Sequence, residues 1–527
     1  MKKLVVVVVL LVLLLGVAPW GVGRIAEGRM NKHLDKMLAE APYITVVERK
    51  WTGGWFRSEQ EVTFELFGEW LKGFGDAIKQ TTAVDGPATD GVALMNVADE
   101  APQGPMPEAS ADGAAAPDES APDESAPEES SGEPLFPASL RFTVKNEILH
   151  GPVLWTSGIG LAEVRSKPVL SEELRKKIVE MFGTDEPVRF KTRVGLFGGG
   201  TSTISGDAAT IKPKGANQAV VSWEAFKLSV GYSDDLDHFD VKGKQPRIEG
   251  KGGSDGAHVV MRDIAVDLDS ERIVGDLYDT DFKMTIAEVS GAGADKKQFT
   301  ATGIHYILAT EKKGEFVDMA LKLGAGEFKT AEFDQLGIQL KEVHYDLSLR
   351  RLHVATLAKV LDAMKAAYAN PLPATTTPSE IESALFQPMK NEAIALFKHD
   401  PEVGLDRIGI VTAEGEGFLK GVIKFKGVTA ADFENPMLII PKLDAEFSVE
   451  VPQKMIEKFP NGATMAGAAV DSGYAKRDGD KLVCKITFKA GQLLVNGKPQ
   501  AVPGLGGPPP GQGMEEMPPE EMPAPKE

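Results

Sequence analysis

The 527-residue sequence contains a single cysteine, Cys484. No intramolecular disulfide can form, so ordinary packing must stabilise the chain even in an oxidising compartment. Cys484 alternates with Ile486 and Phe488, the spacing of a small buried strand residue rather than of a reactive thiol. Histidine is also scarce, with 8 scattered copies and no pair at the helical spacing of a metal site. Gly198-Gly199-Gly200-Thr201 lacks the lysine of a phosphate-cradling loop and reads as a hairpin turn. No Gly-x-Ser-x-Gly nucleophile elbow occurs. Two acidic clusters, Asp234, Asp235, Asp237 and Asp240, and Asp276, Asp279 and Asp281, lack the spacing that wraps oxygens round calcium. They read as solvated loop and edge-strand carboxylates. The sequence therefore assigns no catalytic residue, no metal ligand and no cofactor.

Positive charge is missing from one long stretch. From Thr81 to Ser139 there are thirteen acidic residues and no Lys or Arg, and from Pro503 to Glu527 five Glu and one Lys. These segments carry −13 and −4 of the formal charge of −19, which leaves the remainder at −2. A nearly neutral body offers no single-signed surface to steer nucleic acid, which is excluded as a partner class. Within the acidic stretch, Ala116–Ser120, Ala121–Ser125 and Ala126–Ser130 repeat one pentapeptide. Its Pro, Ala, Ser and carboxylates cannot bury enough apolar surface to offset ordering entropy, so 81–139 reads as a disordered insertion and 503–527 as a disordered tail.

One apolar run stands out. Lys2 and Lys3 precede twenty uncharged residues, Leu4 to Gly23, and Arg24 closes the run. Thirteen of the fourteen residues from Leu4 through Leu15 to Val17 are Leu or Val. As a helix the run is about 30 Å long, enough to cross a bilayer. The paired lysines keep the N-terminus cytoplasmic, and Trp20 lies where an indole suits the headgroup region. A cleaved signal is the alternative, since Gly16-Val17-Ala18 has suitable small residues. Pro19 after the cut and the length of the run favour a retained anchor over 1–24.

Beyond the anchor, Met30, Leu34, Met37 and Leu38 stand at helical spacing, and Gly53-Gly54 separates two strand patterns as a hairpin would. This membrane-proximal unit covers 25–80. The aromatic cluster Trp51, Trp55 and Phe56 is expected to pack over the hairpin turn. The body over 140–502 alternates apolar and polar residues in many runs of 7–13, among them Arg141–Leu149, Ala219–Gly231, Val259–Leu268, Phe316–Leu323 and Leu482–Phe488. Long half-buried antiparallel strands follow, although the spacing does not fix their order. Four helices interrupt them. Ser171 is placed to cap Glu172–Phe182, with Leu174, Ile178, Met181 and Phe182 inward and Gly183 beyond the end. The others are His353–Tyr368, Pro378–His399 with Pro388 expected to kink or split it, and Pro452–Phe459. The fold class is α+β: an N-terminal transmembrane helix, then a β-rich body with a few packed helices.

Three short motifs bracket this body: Gly54-Trp55-Phe56-Arg57-Ser58, His150-Gly151-Pro152, and Asn496-Gly497-Lys498-Pro499. Together with the anchor they resemble the YdgA-like family of bacterial proteins. The resemblance implies an inner-membrane, single-pass protein with its body in the periplasm and no established activity. It carries over no catalytic residue, and the roles of Gly54, Trp55, Phe56, Ser58, His150, Gly151, Pro152, Asn496 and Gly497 stay unassigned. The insertion 81–139 and the tail depart from the family pattern. The expected function is a non-enzymatic envelope protein that contacts the bilayer through its first helix and offers its sheet to lipid or an envelope protein. Two alternatives stand: a hydrolase whose site is assembled from distant residues such as His150, His344 and an acidic-cluster Asp, and a spacer or assembly protein. Nothing in the sequence sets the oligomeric state.

Overall fold

The computed structural model describes residues 18–41, 44–66, 140–154, 157–212, 219–252, 256–293, 296–369 and 378–500. Lys2, Lys3, Leu4, Leu15, the insertion 81–139 and the tail from Pro503 lie outside the described residues. Among the described residues no helix is long and apolar enough to cross a membrane.

The alternating runs assemble into one 23-stranded antiparallel sheet, accompanied by a two-stranded ribbon of Val153–Leu154 and Gly158–Ile159. Eighteen strands follow one another in nearly sequential order. Ile44–Thr52 pairs with Arg57–Leu66, then come Leu140–His150, Ala162–Val169, Val188–Val194, Gly200–Gly206 and Phe226–Tyr232. His238–Lys251, His258–Val274, Leu277–Ala292, Gln298–Lys313, Phe316–Ala325 and Leu340–His353 continue the meander. Glu402–Thr412, Gly415–Phe425, Leu443–Pro452, Lys481–Lys489 and Gln492–Val495 complete it. At about 4.8 Å per strand, the pairing direction covers about 80 Å. The expected run Ala219–Gly231 divides into Val220–Trp223 and Phe226–Tyr232, which share one partner strand but have different second neighbours. Glu402–Thr412 and His238–Lys251 were not legible as strands, the second because lysines and glycines obscure its alternation.

Register aligns the apolar positions across strands. Val230, Val241, Leu268, Phe282, Leu308, Leu321, Leu347 and Leu405 are Cα partners in succession. The line continues through Gly421, Phe447 and Ile486 to Val495. A second line on the same face runs Val266, Met284, Tyr306, Leu323, Tyr345, Ile408, Leu419, Val449 and Cys484. Positions one residue over point the other way and read Lys242, Asp267, Lys283, Ile307, Lys322, Asp346 and Arg407. The sheet thus has an apolar and a polar face. In the first line only Val495 is buried; the rest are half-buried. Cys484 sits on the apolar face, and burial pushes its thiol up.

Two helix packings build the hydrophobic core clusters. Ala18–Glu40, here called the stem helix, lays Ala26 on Ile148, Leu161, Ala162, Val164 and Val194, with Val22, Met30 and Trp51 beside them. Val354–Ala369 and Pro378–Leu396 cover strand ends, where Leu277, Val317, Leu352 and Leu357 form a second core. The second of these helices runs through Pro388 as one element, so the expected split does not occur. A proline removes one hydrogen bond, which a 19-residue helix can tolerate. Glu172–Phe182 is capped as expected, Ser171 Oγ accepting from Leu174 N at 3.2 Å and Gly183 at φ 72°. Leu174 and Met181, expected inward, are exposed, because Phe182 on Trp223 holds the helix at one end only. Gly462–Asp471 is a helix without an apolar stripe to announce it.

Ile148 is fully buried beneath the stem helix. Ile148→Ala should cost about 2–4 kcal/mol of unfolding free energy, measured by urea denaturation. Near the second core, His353 and His399 stack at 3.9 Å and 11°. Burial and the neighbouring His353 hold His399 below its ordinary value of 6.5. The folded state therefore binds fewer protons there than the unfolded chain, so this contribution is complete above about pH 6.5 and is lost as pH falls through the lowered folded value. The urea midpoint should fall across that window, and His399→Phe should flatten the decline.

Candidate functional site: the junction of stem helix and sheet

The Gly-Trp-Phe-x-Ser and His-Gly-Pro motifs meet in space because their strands pair. Ser58 and Ile148 are register partners, and His150 ends the same strand as Ile148. Ser58 Oγ lies 2.9 Å from His150 Nε2, and His150 Nδ1 lies 3.1 Å from the Trp55 carbonyl. A carbonyl only accepts, so Nδ1 donates to Trp55 O, and Nε2 shares a hydrogen with the Ser58 hydroxyl, which can donate or accept. Both side chains are buried, at 3% and 6% exposure, and both are satisfied. His150 N also donates to Phe56 O at 2.9 Å, which closes the hairpin turn onto the strand end.

The stem helix crosses directly above. A Cβ on Gly23 would lie 2.3 Å from His150 Cε1, so only glycine lets the helix backbone rest on the imidazole edge. Gly151 needs its missing side chain too: a Cβ there would meet the Gly160 carbonyl at 1.8 Å, where Gly151 N donates to Leu161 O at 2.8 Å. Along one flank Asn31 Oδ1 accepts from Arg49 Nη1 and from Gln60 Nε2, each at 3.2 Å, and Asn146 Nδ2 donates to Gln60 Oε1 at 3.0 Å. Arg49 also pairs with Asp35 at 2.8 Å. Farther along the helix, Arg29 Nη1 donates to Leu196 O, and His33 Nε2 lies 2.8 Å from Asp234 O. The His33 ring stands edge-on to Tyr232, whose hydroxyl is pushed up to about 12 by burial. A cavity of about 270 Å³ remains at the helix start, bounded by Gly23, Arg24, Trp51, Gly53, Ser58 and His150.

The motif residues divide into three groups. Gly54, Ser58, His150, Gly151 and Pro152 belong to this junction, and a Cβ on Gly54 would meet the Arg57 carbonyl at 2.4 Å. Trp55 and Phe56, expected to pack over the turn, are 52% and 57% exposed, because Trp51 alone of the aromatic cluster joins the core. Asn496 and Gly497 sit at the far end of the sheet. Asn496, at φ 52°, donates to the Gly473 and Tyr474 carbonyls at 3.0 Å and accepts from Lys485 N at 2.9 Å, a turn lock. Arg24 is paired with Glu27, and Trp20 lies in the first turns of the stem helix.

The residues offered for an assembled hydrolytic site, His150, His344 and an acidic-cluster Asp, are not brought together. His344 lies ten strand steps from His150 and bonds to Glu342 at 2.9 Å. The acidic clusters are consumed locally: Asp237 pairs with Arg272, Asp276 with Lys365, and Asp279 accepts from Lys312 N. Among the described residues no group of three metal-ligating side chains converges. The proximity of Ser58 to His150 was not legible in sequence, since it depends on pairing across the insertion.

The chain belongs to the family described as "Bacterial protein of unknown function (DUF945)", whose model matches residues 1–117 and 130–503. No curated protein and no solved structure matches the chain.

The junction makes a direct prediction. Gly23→Ala forces a methyl group against His150 and should destabilise the docked stem by about 1–3 kcal/mol. Urea denaturation measures the loss, and limited proteolysis between the stem helix and the first strand should accelerate.

Proposed function

We propose that this protein is a membrane-anchored envelope protein that carries or shelters lipid acyl chains along the apolar face of its sheet. The observation that carries this reading is the register line from Val230 to Val495, apolar at every position but Gly421, with its parallel companion from Val266 to Cys484. Single surface leucines are ordinary, whereas a contiguous apolar surface spanning many strands marks a site of interaction. Among the described residues there is no second large sheet to lie against it, and the helices sit over the first strands and at strand ends. Such a surface offers dispersion contacts and few hydrogen-bonding groups, which suits hydrocarbon chains better than polar ligands.

The location follows from the first twenty-four residues. The paired lysines, the Leu/Val run and Arg24 support an uncleaved inner-membrane anchor with its N-terminus in the cytoplasm and the sheet in the periplasm. The stem helix, whose first residues Ala18 to Gly23 are the last of the run, lies on the same face as the apolar lines, since Ile148, Val164, Thr192, Ser202 and Val230 are register partners in series. Two polar positions, Thr192 and Ser202, separate the strands under the stem helix from the start of the apolar line at Val230. The family is bacterial, which agrees with such an address.

The test is native mass spectrometry of the full-length protein released from detergent. Co-purified phospholipid is expected. Leu308→Lys with Leu321→Glu should remove most of it, whereas Lys283→Glu with Lys322→Glu, on the polar face, should leave it bound. A protein that carries no lipid, or that loses it equally from both pairs of changes, contradicts the proposal.

A further inference from the structure

The antiparallel meander places every second turn on the same border of the sheet. Along the border that the stem helix follows, the first three turns in spatial order are Gly53–Phe56, the connection from Gly151 to Leu161, and Gly195–Gly199. Each exposes large apolar side chains: Trp55 at 52% and Phe56 at 57%, Val153 at 38% and Ile159 at 68%, Leu196 at 38% and Phe197 at 93%. Turns are ordinarily polar, so large exposed apolar side chains on three neighbouring turns call for an account beyond the turn itself. Adjacent turns are two strands apart, so the three tips cover about 20 Å.

The pattern thins farther along. The next turn on this border is Ser233–Asp237, which carries Asp234, Asp235 and Asp237, and the following ones hold Gly275-Asp276, beside which Val274 alone is exposed, and Gly314-Glu315. The aromatic tips and the paired apolar tips thus lie on the strands crossed by the stem helix. That helix starts beside them, with Gly23 on His150 and Arg29 bonded to Leu196 O. Upstream of Gly23 the chain is the uncharged apolar run that begins at Leu4. The apolar tips are therefore tethered within a few residues of a segment that is itself suited to a bilayer.

We propose that these three turns form a membrane-docking edge that inserts Trp55, Phe56, Ile159 and Phe197 into the interfacial region of the same bilayer that holds the N-terminal run. Tryptophan and phenylalanine at the headgroup level, with Arg24 and Arg57 flanking, are the side chains this environment takes up. The occupant is the lipid surface rather than a protein partner, because the patch adjoins the anchor and gives way to carboxylates farther along the border. Docking fixes the sheet with one strand end against the membrane, which brings the start of the apolar face within reach of lipid. The inference rests on the anchored reading above and adds a second contact to it.

Cys484 is the only cysteine, so Cys484→Ser provides a background for single spin labels in the full chain, reconstituted in phospholipid vesicles. Labels at Ile159 and Phe197 should be several-fold more accessible to oxygen than to a water-soluble nickel chelate, relative to labels at Asp235 and Glu315. A label at Val12 reports the anchor independently. If Val12 is lipid-exposed while Ile159 and Phe197 behave like Asp235, the docking edge is overturned and the anchor stands. If Ile159 and Phe197 report lipid while Val12 does not, the edge stands and the anchor reading fails. All positions reporting water overturns both.

Discussion

Strand-to-strand register governs this protein. Side chains alternate with a period of two, so a one-residue slip in any hairpin would carry every later apolar position to the opposite face. The chain keeps its phase from Val230 to Val495 despite bulges at Arg272, Asp346 and Leu405. Short connections enforce that phase, since most neighbours in the sheet are neighbours in sequence. An extended single layer is the consequence. It has few fully buried side chains for its length, because one face is polar and the other is covered only in part.

The stem junction solves a separate problem. A helix laid on strands needs close approach. Gly23 over His150 and Ala26 over Ile148 provide that approach, while the Asn31, Gln60 and Asn146 series satisfies the buried polar groups beside it. The Ser58–His150 hydrogen bond fits the same purpose, with every polar atom of the pair engaged. The residues shared by the short sequence motifs are thus explained largely by backbone approach and hydrogen-bond satisfaction. Chemistry need not be invoked for them.

Much of this was readable beforehand. The helix Glu172–Phe182 was legible to its caps because Ser171 and Gly183 are local signals. The hairpin at Gly53-Gly54 and the β-rich character of the body were legible from alternation. Which face of that helix is buried was not, because burial depends on what lies opposite, and Leu174 and Met181 have little opposite them. The exposure of Trp55 and Phe56 was missed for a related reason: an aromatic beside a turn looks like packing until the neighbouring turns are seen to be apolar too. The juxtaposition of Ser58 and His150, separated by the acidic insertion, required strand pairing that no local pattern encodes.

The central claim is that the two faces of one sheet meet different environments, and interleaved positions can separate them. Photo-crosslinking amino acids placed singly at Leu268, Leu308 and Leu321, and at Asp267, Lys283 and Lys322, test it in cells with labelled phospholipid. Lipid adducts at the first three positions and none at the second three are the result this account predicts. Adducts on both faces, or on neither while the protein is intact in the membrane, would contradict it.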